Sequence, residues 1–331
     1  MKNIKILHTA DLHLDSAFEA LPAGKAAIRR AEQRELLSRL AELARSERAD
    51  IVLLAGDIFD GGGTYFETGA EFVRCLRDMS VPVFIAPGNH DPYDARSPYA
   101  KLDIPQNVRI FTERDVECAE LPELGVRVYG AAFTGSTDGP DITNIRTERA
   151  EGTWNILCAH GEVGFDPVNE QALSASGLDY AALGHIHKAS GLRRSGGTWY
   201  SWPGCPEGRG FDECGEKGIL QIDIDGETVK AGFIPTAARR YEKLRVEPGA
   251  DALAAIRAAL PKDTADDVYK IILTGESFAA PDLAYLRQAL ERDFFALTFS
   301  DETVPPRDLW RRAGEDSLAG RFLRRMQWRI E

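Results

Sequence analysis

Short apolar runs alternate with longer amphipathic stretches through the first hundred residues. Ile4 to Thr9 reads as a strand, Ala26 to Ser46 as a helix and Ile51 to Ala55 as a second strand. Phe66 to Met79 follows as a helix and Val81 to Ala86 as a third strand. That repetition predicts a layered α/β domain, because each helix must bury its apolar stripe on a sheet face. Past Asn107 the runs shorten to strands near 108–111, 126–131, 154–159, 179–183, 197–202, 217–224 and 229–234, separated by glycine-rich turns. Residues 219 to 225 alternate in character, and Asp225-Gly226 is a hairpin-turn signal. A parallel sheet facing a more antiparallel one, with helices outside, accommodates both patterns.

A boundary falls near Pro235 to Ala238. Beyond it Tyr241 to Val246, Val268 to Thr274 and Phe294 to Ser300 read as strands, with helices at Asp251 to Leu260 and Pro281 to Glu291 between them. This βαβαβ order predicts a small second α/β unit over 237–303, after a first domain over 1–236. The tail from 304 onward starts at Pro305-Pro306 and becomes helix-like. Leu318, Phe322, Met326 and Ile330 recur every four residues among Arg321, Arg324, Arg325 and Arg329. Such a helix packs on its own domain, presents a face to a partner or contacts nucleic acid directly.

Composition narrows the class. The chain has 331 residues, 44% of them apolar, which is enough for a sizeable core. The first apolar run is too short for a membrane span or a signal-peptide core, so no membrane association is expected. Five cysteines without a Cys-x-x-Cys pair make a reducing, cytoplasmic location the simpler expectation. A net charge of −12 argues against a protein that coats nucleic acid by bulk attraction. It leaves room for a nuclease whose phosphate handling is local, through metal ions or a basic patch.

Five of the six histidines lie in polar motifs just after β-type runs, where open α/β sheets place their sites. Asp11-Leu12-His13 follows the first strand, Gly56-Asp57 the second, with Asp60 nearby, and Gly88-Asn89-His90-Asp91 the third. His160-Gly161 and Gly184-His185-Ile186-His187 follow later strands, and in an extended stretch His185 and His187 would share a side. Any one of these could be a turn cap or a core histidine. Together they would crowd repelling and unsatisfied groups unless cations sit among them. Carboxylate with neutral imidazole suits manganese, iron, zinc or cobalt, and one carboxylate, most naturally Asp57, can bridge two ions. His8, inside the apolar strand, reads as structural.

In order, these motifs resemble those of the calcineurin-like metallophosphoesterases. The resemblance implies a four-layer αββα sandwich with a binuclear site at the sheet edge. It implies Asp11, His13, Asp57 and His187 as ligands of one metal and Asp57, Asn89, His160 and His185 as ligands of the other. It places His90 outside the ligand set as the catalytic group, with Asp91 orienting it. The stretches Leu7 to His13, Gly56 to Asp60 and Tyr200 to Glu213, closed by Gly215 to Gly218, are similar to the DNA double-strand-break repair exonucleases of the SbcD-like branch. Leu14-Asp15-Ser16 departs from the glycine that follows the leucine in the best-known members of that branch. The branch implies DNA as substrate, two manganese ions as cofactor with iron or zinc as alternatives, and a small capping domain. It also implies a tail that docks on the coiled coils of an ATPase subunit, and it leaves a homodimer open. Lys188, Arg193, Arg194 and Arg209 lie near the motifs and are candidate phosphate contacts. The competing functions are a phosphoesterase for a small phosphodiester or a phosphoprotein, and a non-catalytic DNA-end adaptor for an ATPase. Exonuclease polarity and strand preference are not encoded in any of these motifs.

Overall fold

The computed structural model describes residues 3–61, 63–142, 144–162, 169–226, 228–277, 279–305 and 309–330. Two compact units divide the chain, Met1–Ala238 and Arg239–Glu331.

In the first unit, β1 (Ile4–Thr9), β2 (Ile51–Leu54), β3 (Val83–Ile85) and β4 (Val108–Ile110) run parallel, linked by α1 (Ala23–Ser46), α2 (Phe66–Asp78) and the short α3 (Pro98–Lys101). A second sheet is built from β5 (Glu117–Leu121), β6 (Val126–Gly130), β7 (Trp154–His160), β8 (Tyr180–Gly184), β9 (Arg193–Ser195) and β10 (Thr198–Ser201), with α4 (Glu170–Ala175) before β8. The hairpin β11 (Gly218–Asp225) and β12 (Thr228–Pro235) returns to the first sheet and pairs antiparallel with β1. The strand orders are β12-β11-β1-β2-β3-β4 and β5-β6-β7-β8-β10-β9.

The expectation of a more antiparallel facing sheet is corrected here. Each large sheet carries three parallel pairings and two antiparallel ones, because the hairpin closes onto β1 and the chain between β6 and β8 makes parallel crossovers. The period-two alternation of the strands sets the layers. Leu7, Val52, Leu54, Val83 and Ile85 face Leu36, Leu37 and Leu40 of α1 and Phe72 and Leu76 of α2. Ile6, Ile51, Leu53, Phe84 and Ile222 point the other way, onto Val128, Ile156, Cys158 and Tyr180 of the second sheet. A third cluster, with Leu157, Leu183, Trp202 and Leu173 of α4, covers the far face. The result is the αββα sandwich. All five cysteines are free thiols.

His8 is a core histidine. It is wholly buried, hydrogen-bonded to the Tyr180 hydroxyl at 2.8 Å and to the Leu183 carbonyl at 3.1 Å. Burial lowers its pKa to about 3, against an ordinary value of 6.5. Between those values the unfolded chain takes up a proton that the folded chain refuses. The contribution of His8 to stability is therefore complete above about pH 6.5 and is lost as pH falls, by at most about 1.4 kcal/mol per pH unit. His8→Gln should accordingly lose less stability than the wild type between pH 7 and pH 5 in urea titrations. Parallel losses would contradict the assignment.

The second unit contains β13 (Tyr241–Val246), α5 (Ala252–Ala259), β14 (Val268–Leu273), α6 (Leu283–Leu290) and β15 (Ala296–Asp301), in a parallel three-stranded sheet of order β13-β14-β15. Asp251 and Asp282 cap the two helices through the amides of Ala254 and Tyr285. Ile256, Leu286 and Leu290 pack on Tyr269, Ile271 and Leu273. The terminal helix α7 (Leu318–Ile330) leaves Leu318, Phe322 and Met326 exposed on one stripe. No helix among the described residues is long and apolar enough to cross a membrane.

Candidate metal centre

The motifs converge at the C-terminal ends of β1, β2, β3, β7 and β8, all parallel within their sheets. Backbone conformation brings them there. Asp11, His13, Asp57 and His185 have φ of 54°, 44°, 50° and 99°. Such left-handed conformations cost a non-glycine residue on the order of 1–3 kcal/mol and persist only where the surroundings over-determine them. Cross-strand bonds supply that constraint: Asp11 and His13 donate their amides to the Gly56 and Asp57 carbonyls at 2.9 and 3.0 Å. Gln33 of α1 donates to the Leu12 and His13 carbonyls from below. Close approach explains two glycines. A Cβ on Gly88 would lie 2.2 Å from Asp57 Oδ1, and one on Gly184 would lie 1.9 Å from the Ala55 carbonyl oxygen.

The seven candidate ligands gather around Asp57. Its Oδ2 lies 3.3 Å from His160 Nε2 and 3.7 Å from His13 Nε2, and its Oδ1 accepts the His90 amide at 2.9 Å. His160 Nε2 is also 3.1 Å from Asn89 Oδ1, and the His185 ring lies edge-on to His160 at 5.3 Å between centroids. On the other side, His187 Nε2 is 3.3 Å from His13 Nε2 and 3.7 Å from Asp11 Oδ1. Asp11, His13 and His187 form one cluster able to hold a metal, Asp11, Asp57 and His160 a second, and His13, Asp57 and the exposed His90 a third. His185 and His187 do not share a side as an extended strand would place them. β8 ends at Gly184 and the positive φ of His185 breaks the period, so one ring goes to His160 and the other to His13.

The donor chemistry fits cations. His160 Nδ1 lies 2.9 Å from the Ala55 carbonyl, which can only accept, so that nitrogen carries the proton. Its Nε2 is then a lone pair aimed at two oxygens. His13 Nδ1 is 3.3 Å from Asp60 Oδ1 and His187 Nδ1 is 2.7 Å from Glu213 Oε1, so their Nε2 lone pairs face each other. The crowding perturbs their protonation in both directions. Burial raises the Asp11 carboxyl to about 6. Burial opposes charge on His160, but Asp57 outweighs it and raises that imidazole to about 9. Burial also lowers His13 to about 4, while His160 and His13 hold Asp57 well below the usual carboxylate range against its own burial. A divalent pair would take up the facing Nε2 lone pairs together with the Asp11 and Asp57 carboxylates. The chain thus carries a binuclear divalent-metal-binding site compatible with phosphodiester hydrolysis.

His90 stands at the rim, about half exposed, with its ring 4.8 Å from that of His13. The carboxylate that reaches it is Asp60, at 3.5 Å from Nδ1, and this contact raises the His90 pKa despite partial burial. The orienting role assigned to Asp91 is corrected accordingly. Asp91 is buried and accepts the amides of Asp57, Ile58, Phe59 and Gly88, together with the Tyr99 hydroxyl. It clamps the two metal loops to each other. Asp60 belongs to the same short motif as Asp57, a signal that sequence reasoning noted without giving it a role.

Among the candidate phosphate contacts, Arg209 lies at the site, with its guanidinium 2.8 Å from Glu213 Oε1 and 3.9 Å from Asp60. Lys188 is exposed just past His187. Arg193 and Arg194 are exposed on the edge strand β9, stacked over Trp202 and Trp199 at 5.5 and 5.0 Å from the ring centroids. Trp202 donates its indole N–H to the Gly161 and Gly184 carbonyls, so Arg193 stacks on a side chain that supports the metal loops, while Arg194 lies on the other face of the strand. Glu213 was missed as a contributor to the site.

The family profile described as calcineurin-like phosphoesterase matches residues 4–189. An uncharacterized metallophosphoesterase, YhaO, of Bacillus subtilis is 27% identical over 264 residues, 75% of this chain and 64% of that protein. The DNA double-strand break repair protein Mre11 of Aeropyrum pernix is 27% identical over 273 residues, 74% of this chain and 64% of that protein. A subunit of the nuclease SbcCD of Rhodobacter capsulatus is 31% identical over 139 residues, 40% of this chain and 28% of that protein. The chain spans less than two thirds of the length of these relatives.

Proposed function

This chain belongs to the calcineurin-like phosphoesterases, and from that premise we propose that it is a two-metal phosphodiesterase acting on DNA ends, of the SbcD-like repair-exonuclease branch. The observation that carries the chemistry is the pair of histidine Nε2 lone pairs facing each other at 3.3 Å beside Asp11 and Asp57. Asp11, His13, Asp57 and His187 would hold one ion, and Asp57, Asn89, His160 and His185 the other, with manganese the proposed species and iron or zinc the alternatives. When bound, two such ions supply Lewis acidity toward a phosphoryl oxygen and lower the pKa of water.

The chain's own groups do the rest. Asp60 orients His90 and favours its protonated form, and His90 at the rim can give a proton to the departing sugar oxygen. Asp91 and Gln33 hold the loops so that these groups need no rearrangement. Arg193, Arg194 and Lys188 are exposed basic residues that offer phosphate contacts near the second sheet's edge and the metal loops. DNA as substrate is supported by these exposed basic residues and by the likeness to the Mre11 and SbcCD relatives. The exposed stripe of α7, flanked by arginines, supports docking of its unit on the coiled coil of an ATPase partner, and a cytoplasmic repair setting belongs to the same proposal.

The test is cleavage of end-labelled linear single- and double-stranded DNA by the full chain in manganese, with bis-p-nitrophenyl phosphate alongside. Metal-dependent shortening of DNA is the expected result. Hydrolysis of the small diester with DNA left intact, also after addition of the ATPase partner, would move the substrate to a small phosphodiester.

A further inference from the structure

We propose that Glu213 is a positioning residue for His187 and so for one of the two metals, held in place by Arg209 and by a loop pinned to α1. The inference rests on reading His187 as a metal ligand. Glu213 is 4% exposed, and its Oε1 lies 2.7 Å from His187 Nδ1. The same oxygen accepts from the Arg209 guanidinium at 2.8 Å, and Oε2 accepts the Arg209 amide at 2.7 Å. Glu213 already accepts twice from Arg209, and the Arg209 Nη2 that lies 3.2 Å from His187 Nδ1 is taken up by Glu213 Oε1, so the 2.7 Å contact between Oε1 and Nδ1 assigns the ring proton to Nδ1. Nε2 is thereby left as the lone pair aimed at Asp11 and His13, which is the tautomer that a metal requires.

The loop bearing Arg209 and Glu213 is anchored independently of the centre. Arg29 of α1, fully buried, donates to Glu207 Oε2 at 2.8 Å and to the Gly208 carbonyl at 3.0 Å. Glu207 Oε1 accepts the Ala238 amide, and the Thr236 hydroxyl donates to the Pro206 carbonyl. Lys217 Nζ donates to the His187 carbonyl at 2.8 Å, which fixes the backbone of the ligand as Glu213 fixes its ring. Leaving one partner of the Arg29–Glu207 pair unpaired inside the protein would be costly, so the loop has one stable position. The two ligand sets therefore differ in support: His160 is oriented by the Ala55 carbonyl within the sheets, whereas His187 depends on a carboxylate from a separate loop.

Manganese titration calorimetry on the full chain, Glu213→Ala and Glu213→Gln, with long-range nitrogen–proton NMR of the metal-free histidines, tests this. Wild type should bind two ions and show His187 protonated at Nδ1. Glu213→Ala should shift that proton toward Nε2 and weaken one ion about 10–100-fold while sparing the other. Glu213→Gln, whose amide oxygen still accepts from Nδ1, should keep the tautomer and recover part of the affinity. Two ions bound by Glu213→Ala as tightly as by wild type, or equal weakening of both ions in the two variants, would overturn the proposal. If the alanine variant does not fold, Glu213→Gln decides: weakening confined to one ion supports the role, and wild-type affinity for both overturns it. A wild-type chain that binds no manganese would instead remove the metal reading beneath it.

Discussion

Asp57→Ala should lose both metal ions and lower phosphodiester turnover roughly 10³–10⁴-fold, the order expected when several kcal/mol of Lewis-acid stabilisation disappear. The reason is geometric. One carboxylate oxygen lies between His160 Nε2 and His13 Nε2, so its loss removes a ligand from each set. Removing a buried carboxylate also leaves His160, held cationic by Asp57 in the absence of metal, without its main partner. Metal content after desalting, measured by plasma mass spectrometry beside bis-p-nitrophenyl phosphate hydrolysis, reads both effects. Retention of one ion at wild-type affinity would show that Asp57 is a terminal ligand and not a bridge.

His90→Ala has a different signature. It should lower turnover about 10²–10⁴-fold, the range for loss of a positioned general acid, while both ions remain. His90 lies at the rim beside His13 and Asp57, engages Asp60, and stands outside both proposed ligand sets. The pH dependence carries a sign. A general acid must be protonated, and Asp60 raises the His90 pKa, so activity should fall as pH rises through that raised value. Asp60→Asn withdraws the cause, and the descending limb should move to lower pH. A limb that stays in place in Asp60→Asn, or loss of both metals in His90→Ala, would contradict this division of labour.

Much of this was legible in sequence because it is local. The strands β1, β2 and β3 are written as short, mainly apolar runs, and the first metal motifs sit directly after them, where a parallel sheet must present them. What was not legible depends on residues far apart in the chain. The β11–β12 hairpin could be recognised from Asp225-Gly226, but its partner β1 lies more than two hundred residues earlier, and nothing local says which sheet it joins. β5 and β9 are half-exposed edge strands, with polar residues where buried strands show apolar ones. Asp91 looked like a partner for His90 because it is adjacent in sequence. In the fold its carboxylate turns to the backbone amides of residues 57–59, and the acid that reaches His90 arrives from the neighbouring loop. Glu213 was hidden for the same reason, since the ring that it holds is 26 residues away.

The central claim is that Asp57 joins two metal ions at this sheet edge. Anomalous diffraction from crystals soaked in manganese tests it most directly. Two peaks about 3.5–4 Å apart are expected, with the Asp57 carboxylate between them and His187 and His160 on opposite ions. A single peak, or two peaks that do not share Asp57, would contradict it.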